Sequence, residues 1–225
     1  SLKLSELFPE LPDVIYPGGP DALDNLYKVA CDELRKVDMS MIKPTDSVNV
    51  LASHHGFTLL GGQPYAILLK AIRDVVHEKT GTDDIRLRAG VGMRFRETEE
   101  YIKRYELDKH YGPGKTKGVA PVDEGIPIET EVGTLYGIKA IYDADWIIHA
   151  HHTDVREVHF HRQIDKAVKP FGMSYARIET RSTYHQNLGP RAANFTARAI
   201  FESKFVQSKF AFGAFLNVGP HGVIG

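Results

Sequence analysis

The sequence predicts an α/β fold, with a mainly parallel sheet flanked by helices as in a Rossmann-like lobe. Segments typical of buried strands alternate along the chain with segments of helical periodicity, and this alternation indicates parallel strands joined by helices. The sequence contains no internal repeat and no low-complexity tract. In such sheets ligands bind beyond the carboxyl ends of the strands, so we expect the site in the loops 53–62, 90–96 and 149–156.

The first part of the chain, residues 1–45, is predicted to be an N-terminal arm followed by a helix. Residues 7–21 contain four prolines and two adjacent glycines, which is typical of irregular structure. Pro20 suits a first helical turn, where its missing backbone donor is not needed. After it, apolar residues recur at helical spacing: Leu23, Leu26, Ala30, Leu34 and Val37. Residues 46–225 are then predicted to form the α/β domain.

Within that domain, short apolar runs and helical patterns define the elements. Strands are predicted at residues 47–53, 84–92, 145–151 and 175–181. Helices are predicted from Pro64 onward, around 97–111, near 155–168 and at 191–204. Residues 111–118, "YGPGKTKG", are predicted to be a flexible basic loop.

The composition indicates an ordinary globular protein, with 42% hydrophobic and 25% charged residues in 225. A net charge of −1 argues against general attraction to nucleic acid or anionic membranes. Cys31 is the only cysteine, which excludes an internal disulfide and a cysteine-based zinc site. The N-terminus lacks a signal-peptide pattern, and no run is long enough to span a bilayer. We therefore expect a soluble cytoplasmic protein, and a homo-oligomeric state is compatible with this composition.

Five of the eleven histidines lie in residues 145–172, around the carboxyl end of a predicted strand. Because side chains alternate along a strand, His149 and His151 should share one face and His152 the other. In the predicted helix that follows, a polar stripe is formed by Arg156, His159, Gln163 and Lys166. This stripe fits an acid–base group with anion-binding charges, and it fits a solvated helix face equally well.

A second pair of histidines, His54 and His55, follows the first predicted strand and precedes a glycine-rich turn. Backbone N–H groups at such a place bind anions, and neutral imidazoles act as metal ligands or bases. The segment matches neither a Walker loop nor a dinucleotide-binding motif, and a purely structural turn is the alternative. Arg94 and Arg96, beyond the second predicted strand, are placed to position a phosphate or carboxylate. The sequence contains no HExxH and no GxSxG motif.

The order of segments resembles the N-terminal lobe of the nickel-pincer lactate racemase family over residues 42–190. The stretches that carry the resemblance are "IKPTDSVNVLASHHGF", "IRLRAGVGMRFRETEEYI", "GIPIETEVGTLYGIKAIYDADWIIHAHH" and "DKAVKPFG". The resemblance implies a racemase or epimerase of small 2-hydroxy acids. It also implies a nickel-bound pyridinium dithio-acid nucleotide that is tethered to a lysine and bound through nickel by a histidine. Family members have a second lobe, and the residues after 190 are too few for one.

Two of the candidate site residues are matched to the family by position, and the others are our own assignments. Lys166 matches the tethering lysine, with Lys169 as the alternative, and His185 is nearest to the nickel-binding histidine. His151 and His159 are acid–base candidates, while Arg94 and Arg156 would orient the substrate carboxylate. His54 and His55 are candidates for holding the cofactor, and His152 is a further candidate metal ligand.

The sequence also departs from the family pattern. The position of the family's loop histidine is occupied here by residues near Met93 and Arg94, and that of its second acid–base histidine by residues near Arg156. Ser53–Gly56 stands in place of the family's phosphate-binding element. Two other functions therefore stay open. One is a divalent-metal enzyme of another class, with His54, His55, His151 and His152 around zinc or iron. The other is a binding domain without catalysis.

Overall fold

A computed structural model describes most of the chain, namely residues 6, 9–10, 13–58, 60, 62–91, 97–153, 167–183, 193–219 and 221–225. The strands in this part are β1 (Val48–Ser53), β2 (Ile85–Gly90), β3 (Thr116–Val119), β4 (Gly125–Thr130), β5 (Gly133–Ile138), β6 (Trp146–His152), β7 (Phe210–Leu216), β8 (Val218–Gly219) and β9 (Gly222–Val223). The helices are α1 (Leu23–Arg35), α2 (His54–Phe57), α3 (Gln63–Thr80), α4 (Glu97–Arg104), α5 (Leu107–Tyr111), α6 (Lys139–Tyr142), α7 (Lys169–Gly172), α8 (Ile178–Ser182), α9 (Ala193–Phe201) and α10 (Lys204–Gln207).

A five-stranded parallel sheet forms the centre of the fold, with the order β3-β2-β1-β6-β7. β1 is the middle strand and all six of its residues are buried, which explains its nearly continuous apolar sequence. The predicted mainly parallel α/β architecture is therefore confirmed. β4 and β5 form a separate antiparallel hairpin, which the sequence analysis did not identify.

Helices cover both faces of the sheet, and the alternation of side chains on β1 divides the core between them. Val48, Val50 and Ala52 belong to a cluster that also contains residues of α1, α3 and α5. Leu51 points to the opposite cluster, with residues of the β4–β5 hairpin, α6, α7 and α9. Each fully buried aliphatic side chain contributes about 1.5–3 kcal/mol to stability relative to an exposed one. Both faces of the sheet are thus held by apolar contacts.

The helix predicted after Pro20 is confirmed as α1, and it packs in the same core cluster as α3. The helix predicted from Pro64 begins at Gln63 and ends at Thr80, and Gly81, with a φ of 72°, caps its carboxyl end. Among the described residues, no helix is both long and apolar enough to cross a membrane. The helix predicted near 155–168 falls almost entirely outside the described residues.

Two predictions of local structure are wrong. Residues 175–181 do not form a strand: only Ala176 bridges to Gly137, and Ile178–Ser182 is helical. The apolar pattern was misleading because Ile178 is exposed while Thr180 and Arg181 are buried. The predicted flexible loop 111–118 ends in β3, because an edge position beside β2 stabilises even a lysine- and glycine-containing strand.

Asp74 of α3 connects three helices on the first face of the sheet. Its carboxylate accepts hydrogen bonds from Tyr27 Oη of α1 at 2.6 Å and from His110 Nε2 of α5 at 3.0 Å. Arg73 Nη1 lies 3.1 Å away. Burial acts to raise the pKa of Asp74, but the bonds from His110 and Tyr27 outweigh it, and the pKa falls from 3.8 to about 2. The folded state therefore favours the ionised carboxylate.

Replacing Asp74 by asparagine is expected to lower the free energy of unfolding by about 2 kcal/mol at pH 7. Because the folded-state pKa is depressed, this contribution is complete above pH 3.8 and is lost as the pH falls through about 2. Urea unfolding at pH 7 and pH 3 measures it. The free energy of unfolding of the variant should depend less on acid pH than that of the wild type. Asp83→Asn, at a 91% exposed side chain, should leave the free energy of unfolding unchanged at both pH 7 and pH 3. Equal acid sensitivity of wild type and Asp74→Asn would contradict the prediction.

Candidate functional site

The carboxyl ends of β1 and β6 lie side by side, and histidines follow or end both strands. β1 pairs with β6 in parallel, with Leu51 opposite His149. His54 and His55 begin the one-turn helix α2 directly after β1, while His151 and His152 end β6. The sheet topology therefore brings imidazoles that are about a hundred positions apart in the chain to one edge of the sheet.

Tyr65, in the first turn of α3, holds these two strand ends together. Its hydroxyl donates to the carbonyl oxygen of Ala150 at 2.7 Å and accepts from the backbone N–H of Ser53 at 3.2 Å. Gly56 packs so closely on this ring that a Cβ atom there would lie 2.2 Å from Tyr65. The order His-His-Gly after β1 thus lets α2 turn tightly over Tyr65, with His54 half-buried and His55 exposed.

His54 lies among charged side chains from three other parts of the chain. Burial lowers its pKa, the carboxylate of Glu97 acts in the opposite direction, and the positive charges of Arg181 and Lys169 lower it further. At neutral pH His54 is therefore a neutral imidazole, and two cations and one carboxylate contribute to the electrostatic field at its ring. Such a group accepts a proton or binds a metal, while the cations attract an anion.

Arg181 is the buried cation of this group, with 5% of its surface exposed. Its Nε donates to the carbonyl oxygen of Ala176 at 2.9 Å, and its Nη2 donates to that of Val91 at 3.0 Å. Burial lowers the pKa of Arg181 to about 10, so it stays charged at neutral pH. The two carbonyl contacts fix the guanidinium at the carboxyl end of β2.

The sequence analysis missed both Arg181 and Glu97. Arg181 was assigned to a strand, and Glu97 was treated as part of a charged helix. No local signal separates either residue from the other charged residues of the chain. Lys169 was considered only as an alternative tether.

The three histidines of β6 have distinct surroundings. The rings of His149 and His151 lie 5.7 Å apart on one face of the sheet, in agreement with the predicted alternation. His151 Nδ1 accepts from the backbone N–H of His152 at 2.8 Å. The His152 ring lies within hydrogen-bond distance of two carbonyl oxygens, with Nδ1 2.9 Å from that of Thr153 and Nε2 3.3 Å from that of His55. His152 thereby connects β6 to α2.

The turn after α7 closes over the same edge of the sheet. Ser174 Oγ lies 2.9 Å from Ser53 Oγ at the end of β1. A Cβ atom at Gly90, the last residue of β2, would lie 2.3 Å from the carbonyl oxygen of Ser174. The backbone near Tyr175 therefore packs directly on the ends of β1 and β2, and only glycine fits at the end of β2.

A zinc or iron centre made of His54, His55, His151 and His152 does not match this geometry. Among the described residues, no three His, Cys, Asp or Glu side chains are arranged to hold one metal ion. The physical reason is local hydrogen bonding: Nδ1 of His151 and both ring nitrogens of His152 lie at hydrogen-bond distance from backbone groups. Metal binding by His152 would require one of its two contacts to break.

The remaining candidate residues lie outside the described ranges. They are Arg94, Arg96, Arg156, His159, Lys166 and His185. Their assignments stay predictions. Of the two candidate tethers, Lys169 is described, and its charge acts on His54.

Comparison with known proteins gives a structural likeness without a sequence match. No family model and no curated protein matches the chain in sequence. In structure, it is similar to the lactate racemase apoprotein from Thermoanaerobacterium thermosaccharolyticum, with a TM-score of 0.66 and 12% sequence identity. The match covers 89% of this chain and 51% of that one, so the chain spans about half the length of the racemase. At this identity the likeness establishes a shared fold.

Proposed function

We propose that this protein is a racemase or epimerase of a small 2-hydroxy acid and works with a nickel-pincer nucleotide. The observation that carries the proposal is the position of His54 at the carboxyl end of β1, where the charges of Arg181 and Lys169 act on it. It lies in a fold that is shared with a structure titled lactate racemase apoprotein. A 2-hydroxy acid presents a carboxylate and a neighbouring hydroxyl, which matches cations beside a neutral imidazole.

The charge of each residue in this group determines its proposed role. Arg181 and Lys169 bind the substrate carboxylate, and a charge-assisted hydrogen bond of this kind contributes about 1.5–3 kcal/mol. His54, which burial and these cations keep neutral, takes the proton of the substrate hydroxyl. The predicted acid–base roles of His151 and His159 and the carboxylate contacts of Arg94 and Arg156 belong to the same proposal.

Two kinds of metal site can be compared with the described side chains: a cofactor that carries its own metal donors, and a metal ion bound by protein side chains alone. The described side chains fit the first kind better. No three described side chains form a metal site, whereas a dithio-acid pincer needs one imidazole ligand and one lysine tether. Lys166 is the proposed tether and His185 the proposed ligand, with Lys169 and His152 as the alternatives. The chemistry that such a group supplies when bound is the transient acceptance of hydride from C2 of the substrate.

Racemisation by the protein isolated from cells that make the cofactor tests this proposal. We expect chiral chromatography to show interconversion of the D and L forms of lactate or a larger 2-hydroxy acid. Intact-mass analysis should show a lysine adduct, and elemental analysis should show nickel. A metal-free, unmodified and inactive protein from these cells would refute the proposal. Zinc or iron without an adduct would indicate a metal enzyme of another class instead.

A further inference from the structure

We infer that Tyr175 is a positioning residue that keeps the ring proton of His149 on its Nε2 atom. His149 lies two residues before His151, on the same face of β6. The sequence analysis placed it in the histidine-rich strand and gave it no role of its own. Its surroundings indicate a ring that is held in one orientation and one protonation pattern.

The ring of His149 is enclosed by other rings. Only 1% of the residue is exposed. The centroids of Phe171, Tyr175 and Phe215 lie 5.5, 5.6 and 5.5 Å from the His149 centroid, each in an edge-to-face arrangement. Close packing of this kind restricts rotation of the imidazole, because a flipped ring would have to displace its neighbours. The two nitrogens of His149 are therefore not interchangeable.

Tyr175 is itself anchored through its backbone. Its N–H donates to the carbonyl oxygen of Pro170 in α7 at 2.8 Å, and its carbonyl oxygen accepts from the N–H of Ile138 at 2.9 Å. The side chain is fully buried. These contacts place the phenol between the β4–β5 hairpin and β6, with its hydroxyl 3.0 Å from His149 Nδ1.

The direction of this hydrogen bond follows from the chemistry of the phenol. Burial raises the pKa of Tyr175, so its hydroxyl keeps its proton at neutral pH. Within the described part of the chain, the partner of this hydroxyl is His149 Nδ1. A buried donor without an acceptor costs about 1–3 kcal/mol. Tyr175 therefore donates to Nδ1, and a neutral His149 carries its proton on Nε2.

His151 reaches the same tautomer by a different route. The backbone N–H of His152 donates to His151 Nδ1 at 2.8 Å, and the carbonyl oxygen of His152 lies 3.2 Å from the same atom. Because a backbone N–H is an obligatory donor and is the closer partner, the proton of a neutral His151 is also on Nε2. The two imidazoles on this face of β6 thus have the same tautomer, which the backbone determines for His151 and Tyr175 determines for His149. Only the second can be changed by a side-chain substitution. That this matching serves proton transfer rests on the proposed function, whereas the tautomer itself does not.

Nitrogen-15 NMR of histidine-labelled protein tests the inference without any activity. The His149 signals, assigned by their loss in His149→Gln, should show an unprotonated Nδ1 and a protonated Nε2 in the wild type. In Tyr175→Phe the Nδ1 donor is gone, and we expect a mixture of the two tautomers. Tyr142→Phe is the matched control, because Tyr142 is a buried phenol whose hydroxyl has no hydrogen-bond partner among the described residues. It should leave the His149 signals unchanged.

A protonated Nδ1 in the wild type would overturn the inference even if Tyr175→Phe failed to fold. An unchanged tautomer in a folded Tyr175→Phe variant would also overturn it. If the protein racemises a 2-hydroxy acid, Tyr175→Phe should lower kcat about tenfold with little change in KM, as expected when a group is mispositioned. The NMR result stands by itself if no racemisation is found, so failure of the two proposals can be distinguished.

Discussion

Replacing Gly90 by alanine is expected to lower the free energy of unfolding by about 3 kcal/mol. The new Cβ atom would lie 2.3 Å from the carbonyl oxygen of Ser174, and the obstructing atom belongs to the backbone. Relief would require the whole turn before Tyr175 to move away from the ends of β1 and β2. Equilibrium unfolding in urea, with the slope of the transition as a check on two-state behaviour, measures the loss.

Gly213→Ala is the matched control for this prediction, because Gly213 is also a strand glycine of the central sheet. Its Cβ atom would meet only the ring of Phe215, at 2.7 Å. That ring is a half-buried side chain and not backbone, so it can shift more easily than the Ser174 turn, and we expect a loss of about 1 kcal/mol. Losses of similar size in both variants would contradict the proposed contact of the Ser174 turn with the end of β2. If the proposed function holds, the shifted turn in folded Gly90→Ala protein should also weaken binding of the 2-hydroxy acid.

The second large effect is expected for Arg181→Met, which removes the buried cation beside His54. If the proposed function holds, loss of one charge-assisted contact should lower kcat/KM for a 2-hydroxy acid about 100-fold, which corresponds to ~2.7 kcal/mol. If the proposed function holds, lactate raises the Tm of the wild type by binding to the folded state, and this rise should disappear in Arg181→Met. Steady-state kinetics and thermal unfolding with and without lactate measure the two effects. Arg181→Lys should recover part of the binding, because it restores the charge without the bonds to Ala176 and Val91.

Arg177→Met provides the control, since Arg177 precedes the same helix but pairs with the exposed Glu179. It should leave kcat/KM and the lactate-induced change in Tm close to those of the wild type. The variant Arg181→Met also loses two carbonyl contacts, so its unfolding free energy without lactate must be measured separately. Unchanged lactate binding in a folded Arg181→Met protein would remove this residue from the proposed site.

Much of the fold could be predicted because its signals are local. β1, β2 and β6 are short apolar runs, and their observed ends differ from the predicted ones by two residues at most. α1 and α3 carry apolar residues at helical spacing, and proline marks the start of each pattern. The hairpin of β4 and β5 was missed, because its two strands pair with each other outside the central sheet, and their apolar residues belong to the second core cluster.

The site was predictable in part for the same reason. His54, His55, His151 and His152 lie at strand ends that the sequence reveals, and parallel pairing of β1 with β6 then brings them to one edge. Arg181 and Glu97 gave no such signal. Burial of Arg181 in α8 depends on carbonyl oxygens of Ala176 and Val91, the second of which is 90 positions away.

The sequence by itself determined the α/β class, the central strands and the edge of the sheet where the histidines gather, because hydrophobic periodicity and strand ends are properties of neighbouring residues. Only the tertiary structure decided which charges surround His54, which tautomer His149 adopts and why Gly90 cannot carry a side chain. These features arise from contacts between segments that are distant in the chain, and their energies depend on burial and on distances of a few ångströms, which no local pattern records.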